Sequence, residues 1–376
     1  MKLKQFIQQE TVLTAAAVLA VVSAFFVPPD AQYLGYIDLR TLAILFSLMT
    51  VMAGLRRQDF FDGLGRALLS RTHSTFQLTL VLVGLCFFGS MFITNDVSLL
   101  TFVPFTFVVL SRLGADVRCS LLIPVVCMQT IAANLGSMLT PIGNPQNLYL
   151  YGKSGMSIGG FVLLMLPYTL VSLLLLLAWA ALVCRKASAA LSVDELVSSS
   201  ASQGDQRIIL LYLVLFAVCL LSVIRVLPYG IAFAAVLVCA LFADPRTLRT
   251  VDYSLLLTFV AFFIFIGNLG RIPAFSGWLQ EFLTGREVLV AVLASQVTSN
   301  VPAALLLSGF TAETQALIIG TNLGGLGTLI ASMASLISYR QIARELPQGK
   351  KQYFGLFTLS NLIFLALLLG VWFLLR

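Results

Sequence analysis

Asn134-Leu135-Gly136-Ser137-Met138-Leu139-Thr140-Pro141-Ile142-Gly143-Asn144-Pro145-Gln146-Asn147 lies inside an apolar block that runs from Leu121 to Tyr151. Two prolines and two glycines within that stretch rule out one continuous helix. Backbone polar groups opened inside a bilayer must be buried in protein or line a cavity. The pattern returns at an offset of 188 as Asn322-Leu323-Gly324-Gly325-Leu326-Gly327-Thr328. At the same offset Ile142 aligns with Ile330, Leu148 with Leu336 and Tyr151 with Tyr339. A helix broken twice, at matching places in two halves of an apolar chain, is the feature from which the fold is read.

The 376 residues are 59% hydrophobic and 10% charged, with a mean hydropathy of +0.98. A soluble domain is about a quarter charged, so soluble enzymes, disordered chains and nucleic-acid binders are excluded. The apolar blocks run Thr11–Val27, Leu39–Leu55, Thr75–Leu113, Leu121–Tyr151, Ile158–Cys184, Ile208–Ile224, Tyr229–Phe242, Ser254–Leu269, Val288–Phe310, Thr314–Tyr339 and Tyr353–Leu375. The third is interrupted by Thr94-Asn95-Asp96 and the ninth by Thr298-Ser299-Asn300. Reading these two as re-entrant hairpins leaves nine full spans. With Lys2 and Lys4 in the cytoplasm, 17 basic residues then fall inside and 6 outside, the expected bias. The N-terminus is cytoplasmic and the C-terminus outside. The first block ends in Pro28-Pro29-Asp30 without a small-x-small cleavage site, so it reads as a retained helix.

A second repeat signal has an offset of 214: Asp38 meets Asp252, Leu55 meets Leu269, Arg57 meets Arg271, Phe61 meets Phe275 and Gly63 meets Gly277. The hairpin tips align as Thr94-Asn95-Asp96-Val97 with Thr298-Ser299-Asn300-Val301, which makes Asn300 the partner of Asp96. Five full spans separate Asp38 from Asp252. That number is odd, so the two repeats face opposite ways. The expected organisation is a first inverted repeat over 1–184 (hairpin about 75–113, broken helix about 118–151), a serine-rich cytoplasmic linker over 185–207, and a second repeat over 208–376 (hairpin about 286–312, broken helix about 313–339). The fold class is an all-α polytopic membrane protein with inverted repeats, the signature of secondary transporters. Two short amphipathic helices, Asp59–Arg71 and Phe275–Leu283, suit arms joining a scaffold to the hairpins or simple interfacial anchors.

The hairpin tips and helix breaks are expected to hold the site. Thr94, Asn144 and Ser299 or Asn300 stand where helix caps belong, with Pro145 and Pro302 in the following first turns. Helix N-termini there offer an anion site, and unwound carbonyls before each tip a cation site. Asp96 is the only acidic residue inside an apolar block. Such a carboxylate is a functional candidate by default, although a plain hairpin-cap role also fits. No Lys, Arg or His shares its depth, so a bound cation or a proton must neutralise it. The candidate substrate and ion ligands are Thr94, Asn95 and Asp96 at the first tip, with Asn134, Ser137, Thr140, Gly143, Asn144 and Asn147 in the first break. The second half adds Thr298, Ser299, Asn300, Asn322, Gly324 and Thr328. A sodium ion would sit near Asn95, Asp96, Ser299 and Asn300. No cofactor is expected. Cys86, Cys119, Cys127, Cys184, Cys219 and Cys239 form no CxxC pair, and the single histidine, His73, lies in a polar loop, so neither a His–Cys metal site nor a Ser-His-Asp triad can be assembled.

These motifs resemble the ion-transporter superfamily of arsenite permeases, NhaD-type sodium/proton antiporters, citrate–metal transporters and sodium-coupled dicarboxylate symporters. The carriers are Thr94-Asn95-Asp96-Val97, the long Asn134–Asn147 motif, Ser299-Asn300-Val301-Pro302-Ala303 and Asn322-Leu323-Gly324-Gly325. The likeness covers nearly the whole chain and looks closest to the short YbiR-like permeases. It implies a secondary active transporter of a small anion, an inorganic oxyanion or a carboxylate, coupled to sodium or protons. It further implies an elevator mechanism, a homodimer and a place in the bacterial inner membrane. Dicarboxylate symporters carry Ser-Asn-Thr at both tips, where this chain has Thr-Asn-Asp and Ser-Asn-Val; NhaD-type antiporters carry Asp where this chain has Asn144. The alternative reading is a cation/proton antiporter working through Asp96.

Overall fold

The computed structural model describes residues 10–70, 72–185 and 204–376. Lys2, Lys4, Arg71 and most of the expected linker, residues 186–203, lie outside them. The described residues hold α-helices and two short 3-10 turns and no strand. In order the helices are α1 Thr11–Phe26, α2 Gln32–Tyr36, α3 Leu39–Arg57, α4 Phe60–Leu69, α5 Thr75–Gly89, α6 Asn95–Leu110, α7 Ala115–Ser137, α8 Pro145–Ser154, α9 Ile158–Cys184, α10 Gln206–Val223, α11 Tyr229–Ala243, α12 Tyr253–Gly270, α13 Pro273–Leu283, α14 Glu287–Thr298, α15 Asn300–Ser308, α16 Thr314–Gly324, α17 Met333–Glu345 and α18 Lys350–Leu375.

Six of these are long and apolar enough to cross a bilayer. The shorter apolar helices α1 and α11, of 16 and 15 residues, and the broken pair α16–α17 complete the expected nine passes. The hairpin arms have 15 and 16 residues in the first half, 12 and 9 in the second. At about 1.5 Å per residue they reach roughly 14–24 Å, no longer than α1 and α11. What marks them as hairpins is that each pair turns back at a tip bonded to a helix break, Asn95 N to the Gly143 carbonyl and Asn300 N to the Ala331 carbonyl. They enter and return. Large apolar side chains such as Phe25, Leu174 and Phe242 are exposed on the outer helices, as lipid contact requires. The window Asp116–Ser137 of α7 is 83% buried, which makes it the central helix.

Packing sorts the helices into two bodies. The hairpins α5–α6 and α14–α15, the broken helices α7–α8 and α16–α17, and α9 and α18 pack on one another. In the second group α1 lies along α12, α10 and α11 lie along α3, and α3 touches α12. This group also touches the first directly, α12 against α15 and α3 against α8. The short helices α4 and α13 connect the two groups.

The two halves contact each other reciprocally. Arg57, at the end of α3, pairs with Asp244 at 3.3 Å; Arg271, at the end of α12, pairs with Asp30 at 2.8 Å. Each partner is the other's equivalent at offset 214. Asp38 and Asp252 cap α3 and α12 identically, accepting from Thr41 N and Leu255 N at 3.0 Å. Asn134 Nδ2 donates to Ser335 Oγ at 3.4 Å, and Asn322 Nδ2 donates to Asn147 Oδ1 at 2.7 Å, a reciprocal pair at offset 188. On this correspondence α1 matches α11, and α10 has no counterpart among the described helices.

Candidate functional site

Proline and glycine place the breaks, and the breaks place the site. α7 stops at Ser137 and α8 restarts at Pro145; α16 stops at Gly324 and α17 restarts at Met333. The hairpin tips dock into these gaps. Asn95 N donates to the Gly143 carbonyl at 3.2 Å, and Asn300 N donates to the Ala331 carbonyl at 3.0 Å. Gly143 and Ala331 are equivalent at offset 188, so these bonds pair Asn95 with Asn300. The alignment of Asp96 with Asn300 is thereby corrected by one residue: Asp96 corresponds to Val301. Side-chain identity favours the slipped register because Thr94 and Thr298 both precede polar residues, whereas helix starts and backbone bonds fix the other.

The expected caps are also corrected. Thr94, Asn144, Ser299 and Ser332 precede α6, α8, α15 and α17, and none uses its side chain as a cap. Asp96 is not a cap either; it lies in the first turn of α6. Elsewhere in the chain Asp38, Ser74, Ser157, Asp205 and Asp252 do cap their helices. Many other helix starts among the described residues also lack a side-chain cap; these four are set apart because all of them border one small pocket. Its lining comprises Asn95, Asp96, Asn144, Pro145, Gln146, Asn300, Val301, Ser332 and Met333, with Leu255 from α12. Asp96 is the only charged side chain among them.

A network of amides braces the pocket. Asn95 Nδ2 donates to Asn134 Oδ1 at 3.0 Å, and Ser332 Oγ donates to the same oxygen at 2.9 Å. Asn144 Nδ2 donates to Ser137 Oγ at 2.6 Å, and Ser137 Oγ donates to the Asn134 carbonyl at 2.9 Å. Asn147 Nδ2 donates to the carbonyls of Ser137 and Thr140, both at 3.3 Å. Asp96 N donates to Asn95 Oδ1 at 2.9 Å. Among the described residues Asp96 Oδ1 is buried without a hydrogen-bond partner, and no ion pair reaches this carboxylate.

A larger cavity of about 470 Å³ leads to the pocket. It shares Asp96, Asn144, Pro145 and Leu255 with it, and carries Thr94 on its wall and Arg56, Arg57 and Asp252 at its mouth. Both arginines are exposed, and Arg57 is engaged by Asp244.

The structure therefore brings Asn95, Asp96, Asn144 and Asn300 to the pocket, with Thr94 beside it. Asn134, Ser137, Gly143, Asn147, Ser299 and Asn322 form the supporting layer. Three expected ligands lie elsewhere. Thr140 donates to the Met91 carbonyl at 2.5 Å. Thr298 is exposed and bonds the Ala294 carbonyl at 3.0 Å; Thr328 is exposed and bonds Gln296. Gly324 is a packing position: a Cβ there would come 2.6 Å from Ser295 Oγ. Sequence reasoning missed Ser332 and Ser335, which extending the offset of 188 from Asn144 and Asn147 would have found. It also missed Gln146, although that residue lies within the decisive motif.

Residues 6–317 match the citrate transporter family. The chain belongs to that family. It is 34% identical to the inner membrane protein YbiR of Escherichia coli over 84% of both chains. It is 30% identical to an uncharacterized transporter of Methanocaldococcus jannaschii over 81% of both chains. A silicon efflux transporter of Oryza sativa subsp. japonica shares 31% identity over 36% of this chain and 27% of its own. As a member of the citrate transporter family the chain is a multi-span secondary membrane transporter and not an enzyme.

Proposed function

We propose that this citrate transporter family member moves a small anion, an inorganic oxyanion or a carboxylate, coupled to sodium or protons through Asp96. The observation that carries the reading is the meeting of four uncapped helix N-termini around one pocket whose single charged side chain is Asp96. Each N-terminus is equivalent to about half a positive charge, so roughly two face one carboxylate. With a cation or proton on Asp96 the pocket is net positive. Arg56 and Arg57 at the cavity mouth favour anion entry. A relative named for silicon efflux is compatible with an inorganic oxygen-bearing substrate.

The two packing bodies support an elevator motion, in which hairpins and broken helices carry the pocket past a scaffold of α1, α3 and α10–α12. α4 and α13 serve as the joints. The repeats are inverted, with the second starting at α11, and the cavity opens to the cytoplasm. The protein is a homodimer in the cytoplasmic membrane, N-terminus inside and C-terminus outside.

The test is uptake by purified protein in liposomes, with a panel of anions under imposed sodium and pH gradients, wild type beside Asp96→Asn. Asp96→Asn is nearly isosteric, so the hairpin forms. Wild type accumulates an anion along one of the gradients, and the variant loses that dependence or stops. Normal gradient-driven accumulation by the variant would reduce Asp96 to a structural group. Cation-driven proton movement in wild type with no anion flux would favour the antiporter reading, which the unpartnered carboxylate also suits.

A further inference from the structure

Gln146 is completely buried, yet neither Oε1 nor Nε2 has a hydrogen-bond partner among the described residues. It stands in the first turn of α8 and lines the pocket between the hairpin tips. A buried amide with both ends unpaired is costly, and in a transporter it marks a place where a ligand completes the bonding. Asn144 Oδ1, in the same pocket, is likewise buried and unpartnered. Its orientation is fixed. The Ser137 hydroxyl proton is committed to the Asn134 carbonyl, so Asn144 presents its NH2 to Ser137 and turns its oxygen away.

The buried, unpartnered side-chain atoms of the pocket lining are therefore three acceptors, Asp96 Oδ1, Asn144 Oδ1 and Gln146 Oε1, and one donor, Gln146 Nε2. Those backbone amides of the helix starts that are not already bonded, as Asn95 N, Asp96 N and Asn300 N are, add donors. A coupling cation or proton answers Asp96 but leaves Asn144 and Gln146 facing the substrate with lone pairs. An oxyanion without a hydroxyl can meet only the donors. One that keeps an O–H meets both sets.

On the anion reading above, we propose that Gln146, with Asn144, reads a hydroxyl on the substrate. The transported species is then a partly protonated oxyanion, such as hydrogencarbonate or dihydrogen phosphate, rather than sulfate or nitrate. The pocket has room for about one water. The oxyanion would sit where it joins the larger cavity, at Asp96 and Asn144, which line both.

The experiment is a thermal-shift titration of the full-length protein in lipid nanodiscs with these four anions, wild type beside Gln146→Met. Met has nearly the shape of Gln and no amide to leave unpaired. Wild type should be stabilised by hydrogencarbonate or dihydrogen phosphate at concentrations at least about tenfold below those needed for sulfate or nitrate. Empty Gln146→Met should melt above empty wild type, and its preference between the two classes should collapse. A structural role for Gln146 predicts the opposite change in melting. Equal or greater response of wild type to sulfate or nitrate, or a preserved preference in Gln146→Met, overturns the inference. If none of the four stabilises wild type this inference is overturned, while the anion reading is decided separately by the liposome panel, which includes carboxylates.

Discussion

Ser299 holds φ 76 and ψ 156 at the second hairpin tip, a backbone region that glycine alone ordinarily occupies. Its equivalent, Thr94, has φ −61 and ψ 152, so the two tips differ in backbone and not only in sequence. Such strain costs of order 1–3 kcal/mol and persists where the surroundings require it. Here Asn300 N is drawn to the Ala331 carbonyl, and Ser299 Oγ points at Asn300 Oδ1 at 3.3 Å. Ser299→Gly relieves the strain and deletes that hydroxyl. The variant should be more stable than wild type by roughly 1 kcal/mol, read as a higher melting temperature in detergent, and should transport more slowly. Lower stability, or normal transport, would remove Ser299 from the working tip. Strain of this kind was not legible in the sequence, because Ser is also an ordinary cap residue. The singularity of Asp96 was legible, since a lone carboxylate in an apolar block stands out without any structure. Its partner in the other repeat was not: the letters Thr94 and Thr298 align, but the backbone bonds of Asn95 and Asn300 do not follow the letters.

The breaks in α7–α8 and α16–α17 could be read directly from proline and glycine, because those residues act on their own backbone. What glycine does for a neighbouring helix is a matter of packing, and this separates the site from its support. Ala132 and Gly136 in α7 are equivalent to Gly320 and Gly324 in α16, a small residue every fourth position along one face. A Cβ on Gly136 would overlap the Phe87 carbonyl of α5; on Gly320 it would meet Ala291 Cβ of α14 at 2.7 Å. Each broken helix thus presses its first half against the first arm of its own hairpin, and that contact sets the depth at which the tip docks. Gly136→Ala should destabilise the protein by about 1–3 kcal/mol, the usual range for overpacking, and should lower transport by moving Asn95 off Gly143. Gly63→Ala, where an added Cβ meets nothing within 4 Å, is the control and should be neutral or slightly stabilising. Equal melting temperatures for the two variants would show that the hairpin does not rest on Gly136.

At the scale of the whole molecule the reciprocal ion pairs matter more than their individual strengths, since ion pairs whose arginine keeps access to solvent, as both do here, contribute little. Arg57 with Asp244 and Arg271 with Asp30 tie the end of α3 to the end of α11 and the end of α12 to the segment after α1, as a two-fold relation between the repeats requires. The sequence displayed this relation as the offset of 214, but not the helix that sets its sense. From α1 to α9 the first repeat makes four passes, α1, α3, α7–α8 and α9, and its hairpin returns to the side it came from. Four is even, so a copy appended directly would face the same way. α10, without a counterpart among the described helices, adds the fifth pass and turns the second copy over. Equivalent positions on the two arms should therefore lie on opposite sides of the membrane. Gly63 on α4 and Gly277 on α13 are equivalent, exposed and free of neighbours, so a cysteine fits at either. With the exposed Cys119 replaced by Ser, an impermeant thiol reagent added to intact cells should label Gly277→Cys at once. Gly63→Cys should be labelled only after the membrane is opened. Labelling of both from the same side would break the inverted relation, and with it the proposed topology.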